Sequence, residues 1–183
     1  MNHYTLVRHG QSTANTEKII AGKSDVPLTE LGVLQAKQVA EQLKNKQFDI
    51  CFCSPRLRTK QTADEILKFH NIPIVYENGI SERNYGEFEL LPYTEMDAHE
   101  NGKLFWQDGV NPTYESAETL QQFLNKMEQF FKQTSSQFEN KNILLVGHGG
   151  TYKGIRYLLH GFPETKNLMA YAYLNTEVYE FDM

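Results

Sequence analysis

The chain has 183 residues, 40% of them hydrophobic and 22% charged, with a formal net charge of −5. That length suffices for one domain, residues 1–183, with a sizeable buried core. The acidic balance argues against general nucleic-acid binding, which needs a basic face to neutralise phosphates, yet leaves room for a small anion in a locally positive cleft.

"MNHYTLV" enters a strand directly, without the basic start and long apolar stretch of a signal peptide. No apolar run approaches the roughly 20 residues needed to cross a bilayer, so no membrane partner is expected. After the first strand, "HYTLVR", comes "AKQVAEQL", with Ala36, Val39, Ala40 and Leu43 at helical spacing. "DICFCS" reads as a second strand. Its Cys51 and Cys53 share a face, where an i,i+2 disulfide would be strained. Two buried thiols in a reducing cytoplasm are the reading.

"RLRTKQTADEILKF" follows as a helix with Ile66 and Leu67 inward, and "IPIVY" as a short third strand. Residues 84–114 mix Gly, Pro, acids and aromatics without periodicity, and read as a cap over a site. Its aromatic residues Tyr85, Phe88, Tyr93, Phe105, Trp106 and Tyr114 read first as the cap's own small core. Leu120, Phe123, Leu124, Met127 and Phe131 form the clearest apolar stripe, on a helix expected to be capped by Ser116. "NILLVGHGG" is a continuous apolar strand ending in glycines, and "TYKGIRYLLH" a helix. "MAYAYLN" and "TEVYEF" alternate in polarity and read as two closing strands. Alternating strands and helices imply an α/β class, a three-layer αβα sandwich around a mostly parallel sheet. A homodimer through a strand edge is the assembly this arrangement leaves open.

Ligands of parallel α/β sheets bind beyond the carboxyl ends of the strands. Two strands end alike there, one at Arg8, His9 and Gly10, the other at His148, Gly149 and Gly150. Alternation would send Arg8 and His9 to opposite faces, and Gly10 is expected to supply the turn that re-aims them. Arg58 opens the helix after the second strand and brings another guanidinium to the same edge. Two guanidinium groups, two imidazoles and a helix N-terminus describe an anion pocket, since guanidinium forks match phosphate oxygens. One imidazole could also attack phosphorus.

"LVRHGQSTAN" resembles the signature Arg-His-Gly-x-Ser-x-x-Asn of the histidine phosphatase superfamily, on its phosphoglycerate-mutase-like branch. Four further blocks resemble that branch in order: "GKSDVPLTELGVLQA", "SPRLRTKQTA", "ISERNYGEFE" and "VGHGG". The resemblance implies that His9 is the nucleophile of a phosphohistidine intermediate. It also implies that Arg8, Arg58 and His148 surround the phosphoryl group, and that Glu82 protonates the leaving oxygen and then activates water. Asn15, Gly22, Tyr85 and Gly149 would complete the substrate and phosphate site. The substrate implied is a small phosphorylated metabolite, with no cofactor. No metal is expected either, because Arg8 and Arg58 would repel a zinc ion from His9, His148 and Glu82.

The family holds mutases as well as phosphatases. Glycolytic mutases resemble this chain at Arg83 and Tyr85, but carry two arginines where Gln107 and Asp108 follow Trp106 here. Loss of two cations disfavours a bisphosphorylated ligand, so a phosphomonoesterase is the reading and a phosphoglycerate mutase the alternative. A phosphate-binding module without catalysis is the third. Glu115 could contact substrate or begin a helix.

Overall fold

The computed structural model describes residues 1–110 and 116–183. The parallel core of its sheet is made of four apolar segments, β1 (His3–Arg8), β2 (Ile50–Cys53), β3 (Ile74–Tyr76) and β4 (Asn142–Gly147). A fifth strand, β5 (Val178–Asp182), closes one edge antiparallel to β1, and the order across the sheet is β3-β2-β4-β1-β5. Both faces of the central strands β1, β2 and β4 are covered, which is why β4 is apolar without alternation.

Side-chain alternation divides the interior in two. Tyr4, Leu6, Ile50, Phe52, Ile143 and Leu145 point to one side, under α5 (Leu120–Gln137) and α6 (Gly149–His160). Val7, Cys51, Cys53, Leu144 and Val146 point to the other, under α2 (Glu30–Leu43) and α3 (Leu57–Ile66). The result is the three-layer arrangement of the αβα class. The two thiols are free and buried, and burial pushes the Cys53 thiol up to about 12. Among the described residues no helix is long and apolar enough to cross a membrane.

The structure departs from the sequence reading at several places. A one-turn helix, α1 (Thr13–Glu17), follows β1, with a reciprocal cap between Ser12 and Asn15. The cap of α5 is Thr119, not Ser116: its hydroxyl accepts from the Gln122 N–H while the Gln122 side chain accepts from the Thr119 N–H. Ser116 instead accepts from the Glu87 N–H. "MAYAYLN" is no strand. It crosses the strand ends as a 3₁₀ turn at Leu168–Ala170 and a loop in which Tyr173 stacks on Tyr152, 4.1 Å between ring centroids. The Tyr173 hydroxyl donates to Leu6 O and Glu177 O, so the aromatic alternation serves a crossing loop.

The segment from 84 onward holds a short helix, α4 (Tyr93–Ala98), and 3₁₀ turns at Gly86–Phe88 and Gly102–Leu104. Phe88, Phe105 and Trp106 are buried, but instead of a separate cap core they extend the main one, Trp106 meeting Phe123 edge to face at 5.3 Å, while Tyr93 stays exposed. Tyr85 stacks on Phe105 at 4.6 Å. Beneath them lies Arg83, fully buried, its guanidinium 3.5 Å from the Phe105 ring and its Nε donating to Glu118 O. Burial lowers Arg83 to about 10, so it remains a cation that ties the cap to the body. Tyr114 and Glu115 lie outside the described residues.

Candidate active site

Strand register gathers the site. Arg8 pairs with Gly147, and Cys53 with Val146, so the next residues, His9, His148 and Ser54, emerge at one level. The ladder runs one step further, with the His9 N–H donating to Gly147 O and the Ser54 N–H to Val146 O, both at 3.0 Å. The two imidazoles meet edge to face, 5.3 Å between centroids.

Gly10 is required for a reason other than the one expected. Its φ is not positive, and it makes no special turn. A Cβ placed there would lie 2.3 Å from Gly32 O, and one on Gly32 would lie 2.0 Å from Gln11 O. The two glycines let the chain after β1 press against the first turn of α2, which holds His9 in place.

Both imidazoles are neutral. Burial, then the guanidinium groups of Arg58 and Arg8, push His9 well below the ordinary histidine value, against a smaller opposing effect of the Gly10 carbonyl. His148 is pushed the same way by burial, Arg58 and His9. In a neutral ring only one nitrogen carries hydrogen. His9 Nδ1 lies 2.7 Å from Gly10 O, and a carbonyl can only accept, so the hydrogen is on Nδ1 and Nε2 carries the lone pair. His148 Nε2 meets the Ser54 hydroxyl at 2.8 Å, and Ser54 meets Ser81 at 3.1 Å.

Arg58 is buried and tied to the loop after α1. Its Nη2 donates to Ala21 O at 2.5 Å and Gly22 O at 2.8 Å, and its Nη1 to Ser24 O at 2.9 Å. Burial brings it down to about 10, which leaves it charged at neutral pH. Glu89 fixes that loop from the cap side, accepting from the Lys23, Ser24 and Tyr85 N–H groups and from the Ser24 hydroxyl. Arg8 donates to Tyr173 O, and Gly149 packs against it, a Cβ there standing 3.7 Å from the Arg8 Cζ. The Glu82 carboxyl group accepts from its neighbouring Arg83 N–H at 2.9 Å and from the Gly150 N–H at 3.0 Å, in the first turn of α6.

Two connected chambers result. The inner one, about 50 Å³, is lined by His9, Arg8, Arg58, Asn15, Glu82 and Tyr85. That is room for roughly three or four water-sized groups. The outer one, about 420 Å³, opens between the cap and α6, with Gly149, Trp106, Lys103 and Lys153 on its wall and Arg8, Glu82 and Tyr85 shared.

The structure therefore brings Arg8, His9, Arg58, Glu82, Asn15, Tyr85 and Gly149 to the chamber walls, whereas His148 lines neither chamber and lies fully buried beside the His9 ring. Gly22 lines neither chamber; Ala21 does, and Gly22 serves behind it as an acceptor for Arg58. A Cβ on Gly22 would lie 2.2 Å from Arg83 O, so the loop needs glycine to reach the cap. Gln107 and Asp108 also stand away from the chambers. The Gln107 amide donates to Thr165 O, and Asp108 is exposed. The contrast drawn between these residues and mutase arginines thus has no direct effect on the cavity wall.

Sequence reasoning missed Lys153, Ser54 and Asn175, and gave Tyr93 to the cap's core, whereas Tyr93 lines both chambers. Asn175 donates to His9 O at 2.9 Å and to Asn15 Oδ1 at 3.3 Å, across 166 and 160 positions of chain. Ser54 was foreseeable from strand register, being the first residue past β2. Among the described residues no three His, Cys, Asp or Glu side chains converge as metal ligands do.

Fold and pocket define an α/β protein with a cationic, imidazole-bearing site at the carboxyl ends of parallel strands. A family model described as the histidine phosphatase superfamily (branch 1) matches residues 4–183, and the chain belongs to that superfamily. The Bacillus subtilis protein named uncharacterized phosphatase PhoE is 32% identical over 149 residues, 81% of this chain and 72% of that one. A 2,3-bisphosphoglycerate-dependent phosphoglycerate mutase 2 from Gloeobacter violaceus is 31% identical over 167 residues, 87% of this chain and 76% of that one. The crystal structure of a phosphoserine phosphatase from Entamoeba histolytica, in complex with 3-phosphoglyceric acid, superposes with a TM-score of 0.85 at 30% identity. It covers 100% of this chain and 91% of that one.

Proposed function

We propose that the chain is a cofactor-independent phosphomonoesterase for a small phosphorylated metabolite, working through a phosphohistidine at residue 9. The observation that carries the reading is the neutral His9 whose Nε2 is left with a lone pair in a chamber shared with Arg8, Arg58 and Glu82. In the first step Nε2 forms a bond to phosphorus as the ester P–O bond breaks, and Glu82 gives its proton to the departing alkoxide. In the second, Glu82 takes a proton from water, the water oxygen bonds to phosphorus, and the N–P bond breaks to release phosphate. Arg8 and Arg58 offset the charge on the equatorial oxygens throughout.

Two observations support hydrolysis over mutase transfer. Tyr93, on the wall of both chambers, is 45% exposed, and Lys103 is exposed, so water has a path to the inner chamber. Named relatives include phosphatases, although a mutase is among them.

The test is turnover of a panel of phosphate monoesters by the wild type and His9→Ala, each first checked for native fold by circular dichroism. Release of inorganic phosphate by the wild type alone supports the reading. Conversion of one phosphoglycerate isomer into the other without phosphate release favours the mutase. Binding of phosphate with no turnover of any ester favours the module.

A further inference from the structure

The outer chamber contains a cation that neither the fold nor the proposed chemistry employs. Lys153 sits on the first turns of α6, one turn beyond Gly149, with Nζ 5.4 Å from the centre of the Trp106 ring. Its side chain is partly buried, and that burial lowers its affinity for a proton against a smaller opposing influence of Glu82. Among the described residues it has no ion-pair partner: the pairs formed by other lysines join Lys44, Lys46, Lys68, Lys126, Lys132 and Lys141 to acids on the surface. A partly buried ammonium on a chamber wall, with three donors and no anion beside it, is stabilised when a ligand supplies one. Nearby Asp97 is on the chamber rim and exposed, and Glu82 is already held by two backbone N–H groups.

The position gives this cation a direction. Lys153 and Lys103 line the outer chamber only, whereas His9, Asn15 and Arg58 line the inner one only. With phosphorus beside His9, the alcohol half of an ester extends past Glu82 into the space under Trp106, toward the ammonium. We propose that Lys153 is a specificity residue that recognises an anionic oxygen group, a carboxylate or a second phosphoryl, on the leaving alcohol, with Lys103 assisting from the rim. This rests on the phosphatase reading of the inner chamber.

The experiment compares kcat/KM for three esters of a three-carbon alcohol. Phosphoglycerate carries a carboxylate, glycerol bisphosphate a second phosphoryl group, and glycerol phosphate neither. The wild type is expected to favour at least one anionic ester over glycerol phosphate by about tenfold or more, the scale of one charge-assisted hydrogen bond. Which anionic ester gains tells carboxylate from phosphoryl. Lys153→Met, which keeps the stem on Trp106, should bring the ratio near one, and Lys153→Arg should restore most of it. Lys153→Gln gives a second neutral side chain, and glycerol phosphate turnover by each variant reports that it is folded. A wild-type ratio near one overturns the proposal, as does a ratio unchanged in both neutral variants. If the wild type hydrolyses none of the three esters or any other monoester, the phosphatase reading falls and takes this proposal with it.

Discussion

Lowering the pH from 7 to 5 should destabilise this fold through two residues. His9 and His148 are 4% and 0% exposed, and burial with the neighbouring guanidinium groups keeps both rings neutral. Their folded pKa values are depressed, so the stability they contribute is present above the unfolded value near 6.5 and is lost as pH falls below it. Each ring that stays neutral in the fold but charges in the unfolded chain costs about 1.4 kcal/mol per pH unit. Two rings give about 2.7 kcal/mol per unit, or about 4 kcal/mol between pH 7 and 5, a large part of a typical folding stability. Asp49 and Glu180 are shifted down from 3.8 and 4.5, so their contribution is lost only at lower pH. Urea unfolding at pH 7, 6 and 5 measures the slope. In His9→Gln/His148→Gln it should flatten to the smaller residue left by His70, which burial also lowers. An undiminished slope in that double variant would refute the neutral pair.

Three further perturbations probe the supports of the site. Gly10→Ala drives a Cβ to 2.3 Å from Gly32 O, backbone that cannot swing aside. It should cost about 1–3 kcal/mol in thermal unfolding and about 10²-fold in kcat, through displaced His9; a wild-type melting temperature would contradict this. Glu89→Gln halves the acceptors holding the Arg58 loop, so the inhibition constant of orthophosphate should rise about tenfold, with every ester affected alike. An effect confined to one leaving group would place Glu89 in the outer chamber. Ser54→Ala removes the partner of His148 Nε2 and should cost about 1–3 kcal/mol of stability in urea titration, whereas an unchanged midpoint would show that another group takes its place.

The sheet was legible because its central strands β2 and β4 are apolar runs buried on both faces, and β1 and β4 announce themselves by leading into the same His-Gly pair. The candidate catalytic group was legible for the same reason: register delivers whatever follows those strands to one edge. Alternating aromatics misled at "MAYAYLN", since a period of two does not distinguish a strand from a loop whose tyrosines reach back to Leu6 O and Tyr152. The α5 cap could have been read correctly, because Thr119 stands three residues before Gln122, the spacing of a reciprocal cap. Lys153 and Asn175 could not. A single lysine on an amphipathic helix looks like solvent decoration until the cap packs beside it, and Asn175 reaches His9 only through the folded chain.

The central claim is a covalent bond between His9 and phosphorus. Rapid acid and alkaline quench of the wild type with a ³²P-labelled ester, followed by peptide mapping, tests it directly. Label should appear within one turnover, survive alkali, disappear in acid, map to the peptide holding His9, and be absent from His9→Ala. Label that resists acid, maps elsewhere, or persists in the variant would contradict it.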